Sequence, residues 1–236
     1  MFISIITPAH NEEKYLQKCI SSVKHAAQSA SVKYEHIVVI NRCTDQTERI
    51  ARSLGCRIVY EDSKNLSCIR NAGAAHACGD IIVTIDADSW ISENMFSEVI
   101  RMLYSGQYIG GGVRMYPERL SAGIFCSLLI VMPFVLWHGV SVGMLWCFKC
   151  DFDAVGGFNE SLICVEDIDL AKRLKHLGKK TSRRYGTITK AHMITSCRKF
   201  DQFGDWYFVR NPKLVYDIFS YKQDAANTFY YDISRV

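Results

Sequence analysis

Residues 2–90 alternate short apolar runs with longer amphipathic ones. Phe2–Ile6 is a β-branched run closed by Pro8 and predicts a strand. From Glu12 to Ala30, Leu16, Ile20, Val23 and Ala27 recur at helical spacing. Ile37–Ile40 predicts a second strand. Thr44 is placed to cap a helix over Gln46–Leu54, which Gly55 stops. A strand at Arg57–Tyr60, a helix over Asn65–Cys78 stopped by Gly79, and a strand at Ile81–Ile85 follow. Alternation of this kind predicts an α/β fold, a Rossmann-like, mostly parallel central sheet with helices on both faces. Such sheets gather ligands at the carboxyl ends of their strands. Three polar clusters fall there: Thr7–Glu12, Asn41–Asp45 and Asp86–Asp88.

The second half is less regular. Ser92–Tyr104 predicts a helix, Gly110–Met115 and Ser141–Phe148 strands, and Gly156-Gly157 a turn. Val165–Leu177 predicts an amphipathic helix stopped by Gly178, and a further helix is expected near Pro212–Tyr221. Leu120–Phe148 contains no Asp, Glu, Lys or Arg over 29 residues. A bilayer span needs about 20 residues, so length alone would allow one. A single span would part Asp86–Asp88 from the acidic pair at Glu166-Asp167, and Pro133, Gly139 and Gly143 interrupt it. Three readings stay open: core helix plus strand, a helix that covers an acceptor site or touches a membrane surface, and, least favoured by these interruptions, a true span. No repeat or linker divides the chain. The expectation is one domain over residues 1–236, in three stretches, 1–90, 91–200 and a tail over 201–236.

Composition removes several classes. With 236 residues, 49% hydrophobic and 22% charged, the chain is neither disordered nor a rod. Net charge is +4, unevenly laid out: Lys172–Lys199 holds ten Lys/Arg and no acid, leaving eighteen bases against twenty-four acids elsewhere. The ten cysteines are irregularly spaced, and Met1–Ile6 lacks the pattern of a secretion signal, so free thiols in the cytoplasm are expected. Cys147 and Cys150 have CxxC spacing, but a strand there would point them to opposite faces, against a zinc site.

Asp86 and Asp88 flank a small residue at a strand end, where period two puts both carboxylates on one face. That is either a solvated end with an Asx turn or a hard-cation site for Mg²⁺ or Mn²⁺ with phosphate oxygens. Glu166, Asp167 and Asp169 open a helix, where acids complement the dipole. That position predicts Asp167 ionised at neutral pH and able to accept a proton on a rigid element.

Together these segments resemble the family-2 glycosyltransferases, which have the GT-A fold. The matching stretches are Ile5–Glu13, Val38–Thr47, Ile69–Gly73 with Gly79-Asp80, Asp86-Ala87-Asp88, Val155–Glu160 and Glu166–Leu170. The resemblance implies an inverting transfer of a sugar from a nucleotide-sugar donor to an acceptor hydroxyl. It implies that Pro8, Ala9, Asn11, Glu12, Asn41, Asp45 and Arg70 line the nucleotide pocket. Asp88 would hold Mn²⁺ or Mg²⁺ with Asp86, which would also touch the ribose, and His192 would reach the metal or diphosphate. Asp167 would be the base. Arg198 and Lys199 resemble the basic residues of a C-terminal loop that closes on the diphosphate. The family usually has an Asp where this chain has Ile40, which cannot accept that hydrogen bond, so Asn41 is a candidate to take over part of the contact.

A UDP-sugar donor, a saccharide or lipid-linked acceptor, and a role in glycan, glycolipid or envelope polysaccharide synthesis are expected. The expected location is cytoplasmic, with peripheral association at the inner face of the membrane as an option. The basic run reads as a solvated face, or as a site for lipid headgroups or substrate phosphates. No nucleic-acid module is present in the sequence, so nucleic acid is not an expected partner. The alternatives are a nucleotidyltransferase of related fold, against which Pro8–Asn11 is no Gly-rich basic loop, and a non-catalytic sugar-nucleotide binder.

Overall fold

In the computed structural model, residues 1–141 and 143–220 are described. The elements are β1 (Phe2–Ala9), α1 (Leu16–Ser29), β2 (Lys33–Ile40), α2 (Thr47–Ser53), β3 (Arg57–Tyr60), α3 (Leu66–Ala75), β4 (Ile81–Thr84), β5 (Ser89–Ile91) and α4 (Met95–Tyr104). Then follow β6 (Tyr108–Pro117), α5 (Ala122–His138), β7 (Leu145–Phe148), α6 (Lys149–Ala154), α7 (Glu166–Lys180), β8 (Arg184–Thr195), α8 (Arg198–Phe203), α9 (Tyr207–Arg210) and α10 (Pro212–Phe219). Tyr221 and the tail beyond it lie outside the described residues, as does Val142 of the strand expected at Ser141–Phe148.

The strands form one sheet in the order β3-β2-β1-β4-β7-β6-β8-β5. Pairings β1–β2, β1–β4, β2–β3 and β6–β8 are parallel; β4–β7, β6–β7 and β5–β8 are antiparallel. Alternation along the strands splits the core in two. Ile3, Ile5, Ile81 and Val83 face α1 and α4, packing on Val23, Met95, Phe96 and Val99. Ile6, Ile37, Val39 and Ile82 face the other way, onto Ile69 of α3 and Leu170 and Leu174 of α7. A third cluster joins Val165, Ile168 and Ala171 to Phe203, Tyr207, Phe208 and Leu214, docking the C-terminal helices on α7.

β8 was not anticipated. Its buried positions run Gly186, Ile188, then Ala191, Met193, so the alternation changes parity across Thr189-Lys190. The register against β6 shifts between Val113 and Arg114, and this bulge breaks the period-two signal. The basic run is structural in part, with Lys172, Lys179, Lys180, Arg184 and Lys190 exposed. Arg183 makes a two-pronged pair with buried Asp151 at 2.7 and 2.8 Å, Arg173 pairs with Asp169 and donates to the carbonyls of Val155 and Gly157, and Lys175 donates to the Gly139 carbonyl.

Candidate active site

The site is assembled at the carboxyl ends of β1, β2 and β4. Parallel register sets Ala9 beside Ile40 and Ile6 beside Thr84, so the segments leaving the three strands emerge together. Asp86 and Asp88 lie in the turn between β4 and β5, not on a strand. Ala87 is buried between them against the Ala9, Leu16 and Ile40 cluster, while the flanking side chains keep 44% and 14% of their surface exposed.

Each carboxylate is held by an arginine. α3 supplies the first. Asn65 caps this helix, its side chain accepting from the Ser67 and Cys68 amides. Gly73 lets α3 press on the sheet, because a Cβ there would meet Ile6 and Val39 at 2.5 and 2.9 Å. Arg70 is thereby buried between the halves of the fold. Its Nη2 donates to Asp86 Oδ1 at 2.8 Å and its Nη1 to Glu166 Oε1. Next to it, Asn71 donates to the Phe158 carbonyl and Glu160 and accepts from the Phe158 amide, pinning the loop before α7.

Arg198 is the second arginine. Its Nη1 donates to Glu12 Oε2 at 2.6 Å and its Nε lies 3.1 Å from Asp88 Oδ2. Ser196 Oγ donates to the same Asp88 oxygen at 2.9 Å, and the Ser196 amide donates to the Asp88 carbonyl. The segment after β8 therefore closes over the β1 end and the Asp86–Asp88 turn. Lys199 is half-buried beside Arg198.

Asp167 stands at the second position of α7, next to Glu166 and half-buried. Val165 enters the helix left-handed, at φ 54° and ψ 23°, an unfavourable conformation for a β-branched residue. Burial pushes the Asp167 carboxyl up to about 7; Glu166 adds to the rise, against Arg70 and the Ile168 amide, which donates to Asp167 Oδ1. This corrects the expectation from helix position: desolvation outweighs the dipole.

The remaining expected residues divide. Glu12 is buried, its amide donating to Thr47 Oγ1 and its carboxylate bound to Arg198. Asn11 and Asp45 organise the β1 and β2 loops. Asn11 Oδ1 accepts from the Thr44 amide, and Asp45 accepts from the amides of Glu13 and Thr47, starting α2 in place of Thr44. Pro8 is partly exposed at the end of β1 and Ala9 is buried. Asn41 is buried and structural in character: its amide donates to the carbonyls of Glu61 and Ser63, and Arg42 donates to its Oδ1. His192 is not brought to the pair of aspartates. It is exposed on β8, edge-on to Tyr116, with its backbone opposite Ser92, while the residue opposite Asp88 is Ser196. Four strand residues separate the two, about 13 Å at 3.3 Å per residue.

Glu166, Ser196 and Asn71 were missed as site residues. Glu166 reads as a helix-start acid until its arginine is known, and Ser196 carries no signal of its own. Cys147 is buried on β7 and Cys150 exposed on α6, and among the described residues no group of three or more His, Cys, Asp and Glu could hold a metal ion.

The fold is that of the GT-A glycosyltransferases. Residues 1–349 of TarS of S. aureus, solved in complex with UDP-GlcNAc, superpose with a TM-score of 0.64 at 16% identity, over 100% of this chain and 74% of that 1–349 chain. The mannosyltransferase PcManGT of Pyrobaculum calidifontis, solved with GDP-Man and Mn²⁺, gives 0.65 at 15% identity, over 96% and 73%. Residues 4–122 match the sequence profile of Glycosyl transferase family 2, and the chain belongs to that family. It is a glycosyltransferase. Glycosyltransferase AglE of Haloferax volcanii is 27% identical over 218 residues, covering 86% of this chain and 69% of AglE. Other curated relatives are matched over about a third of their own length or less.

Proposed function

We propose that this chain is an inverting, metal-assisted glycosyltransferase. Its donor is a nucleotide-sugar, for which UDP-sugars are favoured, and its acceptor is a saccharide or lipid-linked hydroxyl in glycan, glycolipid or envelope polysaccharide synthesis. We place it in the cytoplasm, peripheral to the inner face of the membrane. One observation carries the reading. Arg70 bonds Asp86 with one nitrogen and Glu166 with the other, and so ties the neighbours of Asp88 and Asp167 into one ion-pair network.

Residues 1–90 would bind the nucleotide through the loops organised by Asn11, Glu12 and Asp45. Asp86 and Asp88 offer hard carboxylate oxygens, and Ser196 a hydroxyl, suited to Mn²⁺ or Mg²⁺. That donor chemistry fits the metal, provided Arg198 releases the Asp88 oxygen it holds. When bound, the metal supplies positive charge against the leaving diphosphate. Arg198 and Lys199 supply more from the closing segment. Asp167, in its ionised form, accepts the proton of the acceptor hydroxyl as that oxygen attacks the sugar carbon opposite the nucleotide. Arg70, through its bond to the adjacent Glu166, the strained turn at Val165 and the Ile168 amide on Oδ1 hold the carboxylate in place.

Asp167→Asn tests this. We expect transfer to fall by a factor on the order of 10²–10⁴ while nucleotide affinity is kept. Full turnover in the variant would remove Asp167 as the base. Thermal shifts with UDP-, GDP-, dTDP- and CMP-sugars, with and without Mn²⁺, identify the donor; no metal-dependent shift with any of them would overturn the reading.

A further inference from the structure

We infer that α5 is a membrane-docking helix that lies in the interface of an anionic bilayer, with its outer stripe among the acyl chains. This deepens the proposed function, on whose peripheral location it rests, by naming the surface and the partner.

α5 has 17 residues without one Asp, Glu, Lys or Arg. A helix apolar on every side normally lies in a core or in lipid. Here only one side is covered: Ile124 and Ser127 are fully buried, with Ser127 Oγ donating to the Asp205 carbonyl, and α9 and α10 pack alongside. The other side carries Phe125, Leu129 and Met132 at i, i+4 and i+7, exposed by 52%, 56% and 49%, and Trp137 at the helix end is 80% exposed. Single exposed apolar residues are ordinary; a continuous stripe of large ones marks an interaction surface.

The length and the surrounding charge favour lipid. Among the described residues no helix is long and apolar enough to cross a membrane, and Pro133 interrupts this one. A helix that lies in the interface needs only to sink about 5–10 Å. Phe125, Leu129 and Met132 carry no N–H or O–H group, whereas protein interfaces carry about one hydrogen bond per 100–200 Å². Cations stand around it. Arg210 and Lys213 are exposed on α9 and α10, the helices that pack on α5, and Lys175 donates to the Gly139 carbonyl just past its end. Basic groups near a bilayer surface attract anionic headgroups. Trp137 and the half-exposed Tyr216 of α10 have the amphipathic rings that settle at the headgroup level.

Docking would also serve the site. Ser121, just before α5, donates to Asp205 at 2.6 Å, and Arg119 bonds both Asp201 and Asp205. Asp201 belongs to α8, whose first residue is Arg198. The membrane helix is thus tied to the segment that closes on Asp88, beside which a lipid-linked acceptor would arrive.

The test is flotation of the full chain with phosphatidylcholine vesicles and with equimolar phosphatidylcholine–phosphatidylglycerol vesicles. We expect partitioning into the mixed vesicles, weakened at least tenfold by Phe125→Ser/Leu129→Ser/Met132→Ser. Arg210→Glu/Lys213→Glu should abolish the preference for mixed over neutral vesicles. Melting temperature and UDP binding, read on each variant, separate lost docking from lost folding. No flotation of the wild-type chain, or equal flotation of the triple serine variant, overturns the inference. So does a dimer in light scattering that the triple serine variant dissociates, which would assign the stripe to a second copy. Flotation needs no turnover, so failure of the proposed transfer reaction would leave this result standing, and failure of flotation would leave transfer to be measured with a soluble acceptor.

Discussion

Asp86 and Asp88 are two residues apart, and each is bound by an arginine, but the two arginines belong to different structural regimes. Arg70 comes from a capped helix pressed on the sheet; its side chain is 5% exposed and its partners lie on two separate elements. Arg198 opens the six-residue α8, just after the last strand; its side chain is 26% exposed, and it reaches Glu12 and Asp88 across the mouth of the site. The first pair resembles architecture and the second resembles a clasp. A carboxylate fixed to a buried guanidinium is a poor candidate to change partners. One fixed to an outer guanidinium can exchange it for a metal ion, because both cations need the same Asp88 oxygen.

The largest difference should appear when each arginine is removed. Arg70→Ala leaves buried Glu166 without its countercharge, which typically costs about 3–5 kcal/mol. At about 2–4 °C per kcal/mol for a chain of this size, its melting temperature should fall steeply, and transfer should be lost with it. Arg198→Ala takes a countercharge from buried Glu12 as well as from Asp88, but the side chain removed is itself partly exposed and Ser196 stays bonded to Asp88, so its melting temperature should fall by clearly less. Equal destabilisation by the two substitutions would break the comparison.

How much of this contrast was legible is itself uneven. The strands and helices up to β4 follow from short continuous apolar runs and period-3.6 patterns, because parallel strands buried on both faces are apolar on both. The Asp86–Asp88 pair, the Glu166-Asp167 pair and Arg70 were all recognisable as residues. Their pairing was not: Arg70 meets Glu166 across 96 positions, a distance that only packing closes. β8 was hidden by its bulge, and without it the position of Ser196 opposite Asp88 could not be foreseen. For the same reason His192 looked close to the metal site when the strand carries it away. Asn41, a short polar residue at a strand end, looked like a ligand contact; it is committed to holding the loop after β3.

A second, smaller effect concerns ligands. Removing Arg198 subtracts a positive charge that competes for Asp88 and that also serves the diphosphate, so its two consequences have opposite signs. Arg198→Gln should bind Mn²⁺ about tenfold more tightly in the absence of nucleotide, a change of about 1.4 kcal/mol. It should bind UDP more weakly by a similar factor. Manganese resonance titration and calorimetry read the two separately. Weaker Mn²⁺ binding would mean that Arg198 supports the metal site instead of sharing its oxygen, and the clasp would be an architectural pair after all.

The smallest effect is on pH, and it falls on the Arg70 side alone. Burial raises the Asp167 carboxyl from 3.8 to about 7, with Glu166 adding to the rise. The folded chain therefore binds this proton more tightly than the unfolded one. The stabilisation is complete below the unfolded value and is lost as pH rises through the folded value. Asp167→Asn should accordingly melt a few degrees above the wild type at about pH 8 and level with it at about pH 4. Transfer follows the opposite sense, since only the ionised carboxylate accepts a proton: kcat/KM should climb through about pH 7 and then level. Glu166→Gln removes a negative charge that raises the Asp167 carboxyl, and so should move that ascending limb to lower pH. Arg198→Gln should leave the limb where it is, because Arg198 faces Asp88 and Glu12 and touches neither Glu166 nor Asp167. A limb that moved with Arg198 and stayed with Glu166 would reverse the assignment of the two arginines.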